Sequence, residues 1–248
     1  MLQHRALPTR LEGMVGLGRP RLVELARMRG PLLQVALDFT DAADALRTLA
    51  AVKHSLGEEV FVAEAGTPLV KAAGVGVARL LSAVAAPSPV LVDMKTADTG
   101  GLEARMAAEA GADATTVLGL SPDETIESAA SEARRQGIAL VADLLGVKDP
   151  VKRAEELAAL GVDIVEVHVG IDAQRALGMT AAELRGLVRR VAEVFPGPVS
   201  VAGGLNARTA PAMVEAGASI VVVGGAITRS PDPGAAAKAI LEAIRGKS

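Results

Sequence analysis

Ala110-Gly111-Ala112-Asp113 leads straight into Ala114-Thr115-Thr116-Val117-Leu118, and the passage recurs twice. Leu160-Gly161-Val162-Asp163 precedes Ile164-Val165-Glu166-Val167-His168, and Ala216-Gly217-Ala218-Ser219 precedes Ile220-Val221-Val222-Val223. Glycine tolerates the left-handed backbone that ends a helix, so these are three copies of one junction from helix to strand. Working outward, β-rich apolar runs fall at residues 32–39, 60–65, 90–95, 114–118, 139–144, 163–169, 199–203 and 219–224. Helix-like stretches follow the strands, for example at 41–55, 101–110, 122–136, 150–160, 180–194, 207–216 and 233–245. Runs such as Val90-Leu91-Val92-Asp93-Met94 are almost continuously apolar, the character of strands covered on both faces in a parallel sheet. Eight such βα units in one chain of this length predict an α/β fold, a (β/α)8 or TIM barrel. An open doubly wound sheet would ordinarily contain fewer units.

The 248 residues are half hydrophobic and 22% charged, with a net charge of −3. There are three aromatic residues, Phe39, Phe61 and Phe195, and no cysteine. A slightly acidic chain with so few aromatics lacks the basic, stacking surface that nucleic acids usually need. Disulfide frameworks, cysteine zinc sites and thiol nucleophiles are excluded, and a reducing cytoplasm is the expected setting. No apolar run approaches the ~18 residues of a membrane span.

Residues 1–30 stand apart as an Arg-rich extension: Arg5, Arg10, Arg19, Arg21, Arg27 and Arg29 face only Glu12 and Glu24. A targeting peptide has this bias. Pro20, followed by the helical stripe Leu22, Leu25, Ala26 and Met28, instead predicts one extra amphipathic helix, packed on the closed end of the barrel or at a subunit contact. The catalytic barrel domain is then 31–248.

Barrel active sites form at the carboxyl ends of the strands. Polar residues there are Asp38, Glu64, Asp93, Lys95, Asp143 and His168, and the last two strands end in Gly203-Gly204 and Gly224-Gly225. Residues two apart share a strand face, so Asp93 and Lys95 project together, with Asp98 following at the next loop. A strand-end ion pair alone is commonly structural; coincidence with three other strand-end polar groups points to a site. Glu64 and Asp93, hard oxygen donors on neighbouring strands, suit Mg²⁺ far better than zinc. His4 and His54 read as surface residues, whereas His168 closes a strand and is placed for general acid–base work. Bare backbone at the two glycine pairs lets amide groups close on a phosphate, with Asn206 able to cap the following helix.

Taken together these residues resemble a known family. Gln34-Val-Ala-Leu-Asp38, Glu64-Ala-Gly-Thr-Pro68, Asp93-Met-Lys95-Thr-Ala-Asp98-Thr-Gly-Gly101, Val117-Leu-Gly119, Asp143-Leu-Leu-Gly-Val-Lys-Asp149, His168-Val-Gly-Ile-Asp172-Ala-Gln174, Ala202-Gly-Gly204 and Val223-Gly-Gly-Ala-Ile-Thr228 are similar to the 3-hexulose-6-phosphate synthases of the orotidine 5′-phosphate decarboxylase suprafamily. The resemblance implies a reversible, Mg²⁺-dependent aldol reaction of formaldehyde with D-ribulose 5-phosphate. It implies that Glu64 and Asp93 hold the metal, that His168 moves the proton at carbon 1, and that Lys95, held by Asp93 and Asp98, offsets negative charge. It further implies a homodimer in which Asp98 reaches the partner's site, Asp38 at substrate hydroxyls or orienting Lys95, phosphate on Gly203, Gly204, Gly224 and Gly225, and further substrate contacts from Thr67 and Asp143.

Departures separate relatives. Glu64 stands where orotidine phosphate decarboxylases carry Lys, and Ile171 where the similar 3-keto-L-gulonate 6-phosphate decarboxylases carry Arg, which disfavours a carboxylate substrate. Val169 replaces a Thr of many synthases. The alternatives are that decarboxylase and a non-catalytic sugar-phosphate-binding barrel, which would not need Glu64, Asp93, Lys95 and His168 together.

Overall fold

In a computed structural model of the protein, which describes residues 18–170 and 181–246, the three junction glycines adopt left-handed backbone, with φ of 85° at Gly111, 84° at Gly161 and 111° at Gly217. The aspartates two residues on have a second role. Asp113 Oδ2 accepts a hydrogen bond from the Val90 amide and Asp163 Oδ2 one from the Leu140 amide, both at 2.9 Å. These two junctions therefore end a helix and also tie down the start of the neighbouring strand.

Eight strands follow in chain order: β1 Leu32–Leu37, β2 Val62–Ala65, β3 Val90–Thr96, β4 Ala114–Leu118, β5 Ala139–Asp143, β6 Ile164–His168, β7 Val199–Ala202 and β8 Ile220–Val223. They pair in parallel, each with the next and β8 with β1, closing the barrel. Around them run α1 Arg21–Met28, α2 Ala42–Leu56, α3 Thr67–Ala73, α4 Val77–Ala85, α5 Gly100–Glu109, α6 Asp123–Gln136, α7 Pro150–Ala159, α8 Ala181–Val194, α9 Ala210–Glu215, α10 Gly225–Thr228 and α11 Pro233–Ile244. The TIM barrel expected from the sequence is the fold observed. Two details go beyond that expectation. The β2–β3 connection holds two helices, broken where Gly74 turns with φ 77°, and the short α10 follows the second glycine pair. No described helix is long and apolar enough to cross a membrane.

Helix α1 stoppers the amino end of the barrel. Leu22, Val23 and Ala26 are buried against Leu32, Leu91, Ala114, Ile164 and Ile220, which stand at the starts of their strands. The expected stripe needs one correction: Met28 is 82% exposed and Val23 takes its place. At 100° per residue Met28 lies roughly opposite the Leu22–Ala26 face, whereas Val23 flanks it. His4, Arg5, Arg10 and Glu12 of the extension, like Ile171, Asp172 and Gln174, lie outside the described residues.

Candidate active site

At the opposite end, the strand termini open into a cavity of about 580 Å³. Its lining includes the charged side chains Asp38, Glu64, Asp93, Lys95, Glu166 and His168 and a glycine wall of Gly203, Gly204, Gly224 and Gly225 with Asn206 and Arg229. Side chains from six strands or their following loops thus meet at one mouth, as the strand-end reading anticipates.

The acid–base wall is a chain of contacts. Lys95 Nζ lies 3.0 Å from Asp93 Oδ2 and 2.7 Å from Asp143 Oδ2, and the same Asp143 oxygen is 3.0 Å from His168 Nδ1. Asp143 Oδ1 is held by the Leu145 amide at 2.9 Å. The row is therefore Asp93–Lys95–Asp143–His168. Asp98, expected to hold Lys95, is exposed on the loop before α5, where its Oδ1 accepts the Thr99 amide, and it does not line the cavity of a single chain. The reason is geometric: β3 ends at Thr96, so the loop carries Asp98 away, while β5 delivers Asp143 directly beneath Lys95. Asp143, read from the resemblance as a substrate contact, is fully buried behind Lys95 and His168, supports both, and does not line the cavity.

Thr67 and Asp38 both line the cavity. Thr67 opens α3 and lines the cavity, its Oγ1 donating to Asp93 Oδ2 at 2.6 Å. Asp38 lies between two glycines: a Cβ on Gly66 would stand 2.2 Å from its Oδ1, and one on Gly224 3.1 Å from its Oδ2. Glu64 is buried, with Oε2 accepting a hydrogen bond from Gln34 Nε2 at 2.8 Å. Asn206 Oδ1 accepts the amides of Arg208 and Thr209, capping the turn ahead of α9.

Three further residues belong to the cavity or its support. Glu166 faces inward beside His168, its Oε1 3.6 Å from Nδ1 and its Oε2 bonded to Ser200 Oγ at 3.1 Å. Strand alternation carried that signal, because Glu166 is two residues before His168. Thr116 Oγ1 donates to Asp93 Oδ1 at 2.7 Å. Arg229 lies against Gly225, where an added Cβ would stand 2.2 Å from its Nη2, and makes no ion pair among the described residues. Neither Thr116 nor Arg229 ends a strand, so the strand-end rule passed over both.

Electrostatics divide the cavity. Five carboxylates, Asp38, Glu64, Asp93, Asp143 and Glu166, gather around Lys95 and His168. Burial, then repulsion from Asp93 and Glu166, holds Glu64 well above the usual carboxylate range, and burial with the Asp143 charge pushes Glu166 up to about 7. Burial and the neighbouring Asp93 raise Asp38. Desolvation by burial acts to raise Asp143, but the His168 hydrogen bond and the Lys95 charge outweigh it and leave Asp143 lowered. His168 is raised: burial disfavours its imidazolium, but the Asp143 hydrogen bond and charge prevail.

Such a cluster is short of positive charge, and a hard divalent cation is the chemistry that supplies it. Glu64 is well suited, since Oε1 has no hydrogen-bond partner among the described residues. Asp143, Glu166 and His168 also bring ligand atoms within 4.8 Å of one another, but Lys95 and the Asp143–His168 bond already occupy that group.

Comparison with known proteins agrees with this geometry. Residues 31–240 match the model of the orotidine 5′-phosphate decarboxylase / HUMPS family. The chain is 42% identical over 212 residues to a 3-hexulose-6-phosphate synthase of Mycobacterium gastri, covering 86% of this chain and 99% of that protein. It also spans about half the length of the bifunctional enzymes Fae/Hps that it matches, 50% of the one from Methanothrix thermoacetophila at 41% identity over 82% of this chain. A crystal structure of a 3-hexulose-6-phosphate synthase superposes with a TM-score of 0.79 at 40% identity, over 86% of this chain and 99% of that one. A KGPDC from Streptococcus mutans in complex with D-R5P superposes equally well, TM-score 0.79, but at 26% identity over 87% and 98% of the two chains. The chain belongs to the orotidine 5′-phosphate decarboxylase / HUMPS family, and its sequence groups it with the 3-hexulose-6-phosphate synthases of that family.

Proposed function

We propose that the chain is a Mg²⁺-dependent aldolase that joins formaldehyde to D-ribulose 5-phosphate, giving D-arabino-hex-3-ulose 6-phosphate, and runs the same reaction in reverse. The observation that carries this reading is the unbroken row from Asp93 through Lys95 and Asp143 to His168, set at one cavity that the two glycine pairs and the Arg229 guanidinium also line. The relatives' names point the same way.

The sugar phosphate lies with its phosphate on the glycine wall, where Gly203, Gly204, Gly224 and Gly225 allow backbone amides to approach and Arg229 adds a cation. Its carbonyl end then faces the carboxylates. Glu64 and Asp93 are the residues that would hold Mg²⁺, whose contribution when bound is Lewis-acid stabilisation of negative charge on substrate oxygens. His168 takes the proton from carbon 1, and Asp143, bonded to Nδ1, fixes the ring and stabilises its protonated form. The electron pair left at carbon 1, delocalised as an enediolate, forms the new bond to the formaldehyde carbon, and the formaldehyde oxygen takes up a proton. Lys95, fixed between Asp93 and Asp143, stands as a preorganised positive charge beside that developing oxyanion. Asp38 binds substrate hydroxyls.

The test is incubation with ribulose 5-phosphate and formaldehyde, following formaldehyde with and without Mg²⁺. Formaldehyde is expected to disappear only when both are present, and excess chelator is expected to stop it. His168→Asn is expected to lose turnover while inorganic phosphate binds as before. Unchanged formaldehyde in the presence of Mg²⁺ would overturn the assignment.

A further inference from the structure

Lys95 reaches its place by an unusual backbone route. Its φ is 46°, in the left-handed region that a residue with a Cβ rarely adopts. The cause lies in the sheet: the register of β3 against β4 shifts between Val92 and Thr96. Strand alternation alone therefore does not aim Lys95 at Asp93 and Asp143. The irregularity does, and an irregularity inside a sheet needs partners for the groups it frees.

The Lys95 amide finds its partner in a side chain. It donates to Thr116 Oγ1 at 2.8 Å, and that hydroxyl donates its own hydrogen to Asp93 Oδ1 at 2.7 Å. Thr116 is buried, 3% exposed, so water does not serve as a ready substitute. A hydroxyl is one of the few small groups that can accept from a backbone N–H while donating to a carboxylate. Asp93 receives its second hydroxyl from Thr67 on the other oxygen, and the Lys95 ammonium from the side. One oxygen atom on β4 thus fixes both the bent backbone that aims Lys95 and the carboxylate that receives it. The adjacent Thr115 differs: its Oγ1 donates to the Val92 carbonyl within the ladder, 3.2 Å away, and touches no group of the cavity wall.

We infer that Thr116 is a positioning residue for the reaction, acting through Lys95 and Asp93 without touching substrate. This rests on the aldolase reading above. Thr116→Val keeps the shape and removes both hydrogen bonds, and Thr116→Ser restores them. With the valine variant kcat is expected to fall about 100-fold, the scale on which slight misplacement of a catalytic group is felt, while the KM for ribulose 5-phosphate moves less than about threefold. Thr116→Ser is expected to recover most of the loss. Thr115→Val is expected to lower the melting temperature yet keep kcat.

A second readout needs no turnover. Hydrogen exchange at the Lys95 amide, resolved by NMR, is expected to quicken at least about tenfold in Thr116→Val and to stay slow in Thr116→Ser and Thr115→Val. Should the valine variant fail to fold, Thr116→Ala takes its place in both measurements. Retained kcat in a folded hydroxyl-free variant, or unchanged Lys95 exchange, would overturn the inference. An inactive wild-type chain would instead overturn the aldolase reading, and the exchange comparison would still decide whether Thr116 holds the Lys95 backbone.

Discussion

Glu166 is a carboxylate folded into a place that disfavours its charge. It is buried, it stands beside Asp143 on the neighbouring strand and feels the Asp93 charge, and among the described residues its carboxylate accepts a hydrogen bond only from the neutral Ser200 hydroxyl. Its pKa rises from 4.5 to about 7 on folding. A folded value above the unfolded one means that the unfolded chain releases this proton first. The associated stability is therefore full below about pH 4.5 and declines as the pH climbs towards 7. Asp143 has the opposite sign: its lowered pKa contributes stability at neutral pH that is lost as acid protonates it. Replacing Glu166 by Gln keeps an acceptor for Ser200 and removes the charge. In the absence of divalent cations, Glu166→Gln is expected to melt at a higher temperature than wild type near pH 8 and to lose that advantage near pH 4. Calorimetry at the two pH values checks this, and equal melting near pH 8 would show that the carboxylate is not under electrostatic stress.

At the scale of elements, α1 and the strand termini divide the labour between the two ends of the barrel. Leu22 is completely buried among residues that start their strands, well away from the cavity wall at the strand ends. Truncation there leaves a void at the amino end that the rigid barrel fills only in part. Leu22→Ala is expected to cost about 2–5 kcal/mol in urea unfolding, with kcat within about twofold of wild type. An unchanged unfolding midpoint would mean that α1 is not part of the barrel core. The same division explains what the sequence made legible. Asp38, Glu64, Asp93, Lys95 and His168 were readable because a parallel strand is apolar until it ends, so a polar residue at its end stands out. The junction glycines were readable because a positive φ leaves little choice of residue. Thr116 was not, since a β-branched threonine is an ordinary strand residue and only the register shift of β3 gives its hydroxyl a task. Arg229 was not, because the helix α10 that carries it round to Gly225 is a single turn and has no periodicity to read. The resemblance, not the spacing, gave Asp98 to Lys95, and in one chain the two part because β3 stops at Thr96 and Asp98 lies on the loop beyond it.

At the scale of the whole molecule, Asp98 is the residue whose position in one chain does not match its expected role. It is exposed, just ahead of α5, and that helix continues with Leu102 and Met106, four residues apart on one face and 51% and 38% exposed. Exposed apolar side chains at i and i+4 beside a polar residue are the makings of a self-complementary contact. The family resemblance implies that Asp98 completes the partner's site in a homodimer, so each site would draw His168 from one subunit and Asp98 from the other. Such composite sites obey simple arithmetic. Asp98→Ala and His168→Ala are each expected to be inactive alone. In a mixed dimer one site receives both substitutions and the other receives neither. Random exchange of equal amounts makes about half of the dimers mixed, so about one quarter of the wild-type sites should return. Activity measured after co-refolding the two variants checks this prediction. Recovery near one quarter requires a site shared between subunits, whereas no recovery from a mixture shown by mass spectrometry to contain mixed dimers would confine Asp98 to its own chain.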